Sequence, residues 1–353
     1  MSGARLDRLR ARLDDLGAEA FLVSNPTNVR YLTGFQSSNA YLLVGRERAI
    51  VSTDFRYLGA ARGLADVEVL ESERDMATWI APRLAELAGG PVAFEADSLT
   101  VASHHALSSR GAELVPSTGV VTAIRAVKDP AELDAIRAAA AVLSSAYDAL
   151  ADHGLVGHTE LGLVWFLERT MREAGAEAAA FDAIVGGGAN GAVPHHHPGG
   201  RRIEPSELVV VDAGARVDGY QSDCTRTFAT GALPEELERA YAATKEAQAV
   251  GLGAVRAGLN GKDAHEAAAQ VIRDAGFGEL AHGLGHGVGL DVHEIPVLRD
   301  GVDMMLEPRN VVTVEPGIYL ADKGGVRIED LVIVTDGEPE ILTPFTKDLV
   351  TLA

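Results

Sequence analysis

An apolar run ends on a carboxylate at Val209-Val210-Val211-Asp212-Ala213-Gly214, and a second acid follows in Ser222-Asp223-Cys224-Thr225-Arg226-Thr227. If Val217-Asp218-Gly219-Tyr220 turns the chain back, Asp212 and Asp223 face each other across neighbouring strands, as carboxylates that share cations require. Without a cation the two would repel, and one would tend to hold its proton. Read alone, the pair is equally a solvated hairpin with ordinary surface acids. Downstream, His282, His286 and His293 stand in a segment that also holds Gly283, Gly285, Gly287 and Gly289. So many glycines speak against a helical His-Glu-x-x-His zinc motif and point to a loop or strand whose backbone comes close to a ligand. Thr313-Val314-Glu315-Pro316-Gly317 sets a glutamate at a strand end, and Val326-Arg327-Ile328-Glu329-Asp330 sets another among apolar neighbours, where an acid needs a partner. Two Asp, two Glu and an imidazole form an oxygen-rich set. It suits Mn²⁺, Co²⁺ or Zn²⁺ bridged by carboxylates better than a closed structural zinc site. Such a paired-metal centre lowers the pKa of a bridging water and polarises a carbonyl, so hydrolysis is the natural chemistry.

These acids need strands to carry them. Runs at 208–211, 225–228, 311–314 and 326–334 read as strands, and Ala-rich stretches at 131–150, 161–174, 235–256 and 263–275 read as helices. Upstream, Leu6, Leu9, Leu13 and Leu16 recur at helical spacing. Strands are expected at 20–23, 41–44, 49–52 and 92–95, a turn at Asn25-Pro26 and a helix at 104–109. The pattern changes at Ile124-Arg125-Ala126-Val127-Lys128-Asp129-Pro130, where a polar stretch ending in Asp-Pro leads into the first long helix; a domain boundary is expected there. No fixed-period repeat points to a solenoid.

At 353 residues, 47% of them hydrophobic, the chain can bury a large core in two or three domains. A net charge of −20 argues against nonspecific nucleic-acid binding. No apolar run is long enough for a membrane span, and the N-terminal segment is too charged for the core of a signal peptide. The single cysteine, Cys224, excludes an intramolecular disulfide and fits a reducing compartment, so a cytoplasmic protein is expected. Cys224 itself reads as buried filler.

In order and content these motifs resemble the proline-specific metallopeptidases of the pita-bread fold, Xaa-Pro dipeptidase (prolidase) and aminopeptidase P. Asn25-Pro26-Thr27-Asn28 and Tyr31-Leu32-Thr33-Gly34-Phe35 are weaker landmarks upstream, so the resemblance spans nearly the whole chain. It implies an α/β (α+β) architecture, with a creatinase-like N-terminal α/β domain at 1–125 and a pita-bread catalytic domain at 126–353. It implies Asp212, Asp223, His286, Glu315 and Glu329 as ligands of two divalent ions per chain, manganese ahead of zinc or cobalt, with Asp223 and Glu329 bridging. His195, after Pro194, and His293 are implied as contacts to the substrate carbonyl or the tetrahedral intermediate. Losing such a hydrogen-bond donor commonly costs ~10²-fold or more in rate. His196 and His197 directly follow His195 and compete for its place. His282 is expected on the substrate side, and Arg327 to orient a ligand carboxylate, with a plain surface ion pair as the alternative.

The implied reaction is attack of a metal-bridging hydroxide on the Xaa-Pro carbonyl, with Glu315 helping to move the proton. Implied substrates are small peptides with proline at the second position, and the implied assembly is a homodimer. Some prolidases carry an arginine directly after His-Glu-x-Pro. Here Val297 follows His293-Glu294-Ile295-Pro296, and the nearest arginine is Arg299. Dipeptidase remains the favoured expectation and aminopeptidase P the alternative. Methionine aminopeptidases usually lack an N-terminal domain of this size, and creatinase lacks the metal ligands. A catalytically inactive binding module of the same fold is the rival from another class, and the complete ligand set argues against it.

Overall fold

The computed structural model describes residues 2–353, which divide into two compact units, one up to Arg125 and the other from Ala126 to Ala353. The first unit holds a six-stranded mixed sheet in the order Glu68–Ser72, Ala49–Asp54, Ala40–Gly45, Ala20–Val23, Val92–Glu95, Leu114–Ser117. The outermost two strands escaped the sequence reading because they are half exposed and carry little apolar patterning. Ile80 and Leu84 of helix Met76–Ala88 and Leu107 of helix Val101–Ser108 pack with Leu22, Leu43 and Phe94 of the sheet. Asn25-Pro26 is a helix start where the sequence suggested a turn. The Asn25 side chain accepts a hydrogen bond from the N–H of Thr27 at 2.8 Å, and Pro26 takes the first helical position, where its missing N–H costs nothing. The first helix, Ser2–Arg10, is also shorter than the leucine spacing suggests, since buried Leu13 lies beyond its end.

The second unit has two cores, each made by a helix pair on strands. Helices Pro130–His153 and Glu160–Glu173 bring Leu143, Tyr147 and Leu167 against Val185, Val209 and Phe228. Helices Glu235–Gly253 and Gly261–Asp274 bring Leu237, Ala268 and Ile272 against Val312, Val314 and Val332. Asp129 and Glu132 form a reciprocal capping box that starts the first of these helices. The run at 326–334 is two strands in different sheets. Gly324–Arg327 pairs with Gly317–Leu320, whereas Asp330–Ile333 pairs with Val311–Val314. Ile328 and Glu329 lie where the chain passes from one sheet to the other. Among the described residues no helix is long and apolar enough to cross a membrane.

One buried side chain ties these pieces together. Arg226, on strand Cys224–Ala229, donates to Asp330 Oδ1 at 2.8 Å and to the carbonyls of Thr343 and Phe345 at 2.9 and 2.7 Å. Asp330 also receives Lys347 and Gln248 at 2.6 and 2.9 Å. Removing one partner of a buried pair leaves a charge uncompensated at a cost of roughly 3–5 kcal/mol. An Arg226→Met variant should therefore melt roughly 10 °C below wild type in a thermal scan. A wild-type midpoint would mean that Lys347 and Gln248 suffice for Asp330.

Candidate metal centre

Two antiparallel ladders end at one place. In the first, Leu208–Ala213 runs against Cys224–Ala229 with Asp212 opposite Thr225. The hairpin between them turns at Asp218 and Gly219, whose φ values of 49° and 79° are those of a tight two-residue turn. Asp223 precedes the second strand, so it stands diagonal to Asp212 rather than directly opposite, two residues before Thr225 and on the same face. In the second ladder the last rung is Val314 with Asp330, and one step beyond it lie Glu315 and Glu329.

His286 is the middle residue of Gly285–Gly287, a short strand between Glu294–Leu298 and Val311–Val314. Its glycines were expected to bring the backbone close to a ligand, and Gly283 and Gly285 line the cavity described below; the neighbouring strands also require Gly285 and Gly287. A Cβ at Gly285 would strike the Thr313 carbonyl, and one at Gly287 the Ile295 carbonyl.

Asp212, Asp223, His286, Glu315 and Glu329 all line a cavity of about 670 Å³, together with His195, His282, His293 and Arg327. Asp223, His286 and Glu329 each bring one donor atom within 4.8 Å of the other two. His286 Nε2 lies 3.3 Å from Glu315 Oε1 and 3.7 Å from Asp223 Oδ2. Arg327 donates to Asp212 Oδ2 at 2.7 Å, so its guanidinium holds a carboxylate of the group and is not a surface ion pair. His293 packs edge-on against His286 with ring centres 4.3 Å apart. His282 has its two ring nitrogens on the Gly283 carbonyl and the Tyr319 hydroxyl, at 2.8 and 2.9 Å. Of the three consecutive histidines, all on the cavity wall, His196 is bonded to Glu160 at 2.9 Å.

The electrostatics favour a cation. Burial, reinforced by the charges of Glu329 and Asp212, holds the Asp223 carboxyl well above its ordinary range. Glu329 is likewise pushed up by burial and by Glu315 and Asp212. Burial is the largest influence on Glu315 and would raise it, but the hydrogen bond to His286 and the charges of His286, His282 and Arg327 together leave it below its ordinary value. Two buried carboxylate oxygens, Asp212 Oδ1 and Glu329 Oε1, have no hydrogen-bond partner. Orphaned acceptors in so acidic a pocket are what divalent cations satisfy, and the donor set suits ions that favour oxygen and imidazole.

Two residues of the site went unnoticed in the sequence. Thr225 donates to Glu329 Oε2 at 2.7 Å and accepts from Arg327 Nε at 3.0 Å, linking the two ladders. Tyr319 accepts from Arg327 Nη1 at 3.1 Å and reaches His282. Strand alternation from Asp223 could have found Thr225; nothing local marks Tyr319. Cys224 is buried and free, and burial pushes its thiol far above the ordinary range, away from nucleophilic reactivity.

Residues 134–336 match the model of metallopeptidase family M24, and residues 5–127 match the creatinase/prolidase N-terminal domain. The chain belongs to metallopeptidase family M24. This family fold, a creatinase-type domain followed by the pita-bread catalytic domain, extends over the full length. An Xaa-Pro dipeptidase from Bacillus anthracis superposes with a TM-score of 0.96 at 34% identity, covering 100% of both chains. An X-Pro aminopeptidase from Thermotoga maritima superposes at 0.88 with 32% identity, covering 97% of this chain and 100% of that one. An Xaa-Pro dipeptidase of Lactobacillus delbrueckii is 31% identical over 98% of each chain.

A cation that binds the folded chain should stabilise it by about 2.7 kcal/mol at a hundred times its dissociation constant. Mn²⁺ added to chelator-treated M24 protein should raise the thermal midpoint, and Asp223→Asn should remove most of the rise. An equal rise in the variant would exclude Asp223 from the site.

Proposed function

We propose that the chain hydrolyses the bond before proline in small peptides, as an Xaa-Pro dipeptidase using two divalent ions per chain, with manganese favoured. The observation that carries this is the meeting of five acid and imidazole side chains on one cavity wall with two carboxylate oxygens orphaned. The substrate class rests on what the similar M24 proteins are named for. Asp212, Asp223, His286, Glu315 and Glu329 would hold the ions, which when bound supply a water of low pKa and a Lewis acid for the carbonyl.

The remaining chemistry belongs to the chain's own groups. His195 and His293 line the cavity, and their part would be to donate to the carbonyl oxygen as it gains charge. Glu315, lowered against the effect of burial by His286, His282 and Arg327 together, can take a proton from the attacking water and deliver it to the proline nitrogen. Arg327 fixes Asp212, with Thr225 and Tyr319 fixing Arg327 in turn. The cavity's apolar lining, including Phe181, Ile184, Val292 and Val297, suits a proline ring whose nitrogen has no N–H to satisfy.

Arg299 supports the dipeptidase reading over an aminopeptidase P. It lines the same cavity, and among the described residues its guanidinium has no ion-pair partner, which leaves it free for the terminal carboxylate of a dipeptide. The single free cysteine is in keeping with a reducing cytoplasm. A homodimer rests on the resemblance alone.

With Mn²⁺ present, Ala-Pro should be cleaved faster than Ala-Pro-Ala, and chelator should abolish both reactions. The reverse preference would make the protein an aminopeptidase P, and cleavage insensitive to chelator would overturn the metal reading. Arg299→Ala should raise KM for Ala-Pro by about tenfold, the loss of one charged hydrogen bond, with kcat little changed. Glu329→Gln should lower kcat/KM by more than the roughly 10–100-fold that removing an outer partner of a metal ligand costs.

A further inference from the structure

The loop that carries His195 is tied to a fully buried acid. Glu160, the first residue of helix Glu160–Glu173, is 0% exposed, and its four side-chain hydrogen bonds among the described residues go to residues 187–199. Oε1 accepts from the Gly187 N–H at 3.1 Å and from Asn190 Nδ2 at 2.8 Å; Oε2 lies 2.9 Å from His196 Nε2 and accepts from the Gly199 N–H at 3.3 Å. The backbone repeats the tie, since Glu160 N–H donates to Arg201 O at 3.0 Å and Leu161 N–H to Gly199 O at 3.1 Å. On the opposite side, the Pro194 carbonyl accepts from Arg327 Nη1 at 3.3 Å. His195 thus sits between a residue held by Arg327 and a residue held by Glu160.

We propose that Glu160 and His196 are positioning residues that fix the height and direction of the His195 imidazole over the cavity; the role of His195 rests on the function proposed above. A buried carboxylate must find partners, and here every partner is on one loop, so the desolvation of Glu160 is compensated only while the loop is closed onto the helix. His196 contributes a single hydrogen bond through Nε2 and does no acid–base work. Its part is geometric, and misplacing a substrate contact by about 1 Å can cost ~10²-fold in rate.

Substitutions at His196 separate this from a structural or directly catalytic role. The amide nitrogen of glutamine can reach where Nε2 lies, so His196→Gln should keep kcat within about threefold of wild type, whereas His196→Ala should lose tenfold or more in kcat. KM and bound metal should stay near wild type in both. Glu160→Gln, which keeps the shape and loses the charge, should fall between them. The idea is overturned if His196→Ala is as active as wild type, or if His196→Gln is as impaired as His196→Ala, which would mean that the imidazole itself meets the substrate. Failure of the wild-type enzyme to cleave Ala-Pro would instead count against the proposed function, so the two failures are distinguishable.

Discussion

Four carboxylates, those of Asp212, Asp223, Glu315 and Glu329, line one pocket, and among the described residues only one arginine hydrogen-bonds any of them. Each repels the others, and burial magnifies the repulsion because little water remains to screen it. The chain's own remedies are partial. Arg327 holds Asp212, His286 lowers Glu315, and Thr225 satisfies one oxygen of Glu329. Asp223 and Glu329 are still left strongly proton-seeking. Unless cations complete the site, such a cluster favours protonation or opening of the surrounding strands, so the rest of the second unit must be rigid enough to hold the acids together.

That rigidity comes from how the ladders end. Both antiparallel pairs finish at the cavity, and each delivers two acids at or one step beyond its last rungs. Each ladder is backed by a helix pair whose apolar face is buried against it. The Tyr147 hydroxyl reaches down from its helix to the carbonyls of Val211 and Cys224, 3.0 and 2.7 Å away, next to both aspartates. Arg226 performs the same service between the ladders. Backbone elements thus resist a repulsion that flexible loops would relieve.

Much of this was legible in the sequence because strand ends and glycine-rich histidine segments are local patterns. Asp212 and Glu315 each close an apolar run, Glu329 stands within one, and all nine residues singled out line one cavity. Local pattern failed where a role depends on pairing across distance. Thr225 and Glu329 are 104 residues apart, and no spacing rule joins them. The break at Ile328-Glu329 was hidden because Val326 and Ile328 lead straight on to Leu331, Val332 and Ile333, so one run concealed two strands. The glycines around His286 have a second reason that the sequence did not show, since a Cβ at Gly285 or Gly287 would strike a neighbouring carbonyl. Asn25-Pro26 was misread because a capping asparagine and a turn asparagine look alike until the following residues are seen to be helical.

The central claim is that these acids are held together to be bridged by two cations. Its most direct test is a crystal structure of the Mn²⁺-loaded protein with data collected above the manganese absorption edge. The account predicts two anomalous peaks in the cavity, both within bonding distance of Asp223 and Glu329 carboxylate oxygens. A cavity without peaks, with Asp223 and Glu329 hydrogen-bonded to each other through a shared proton, would contradict it.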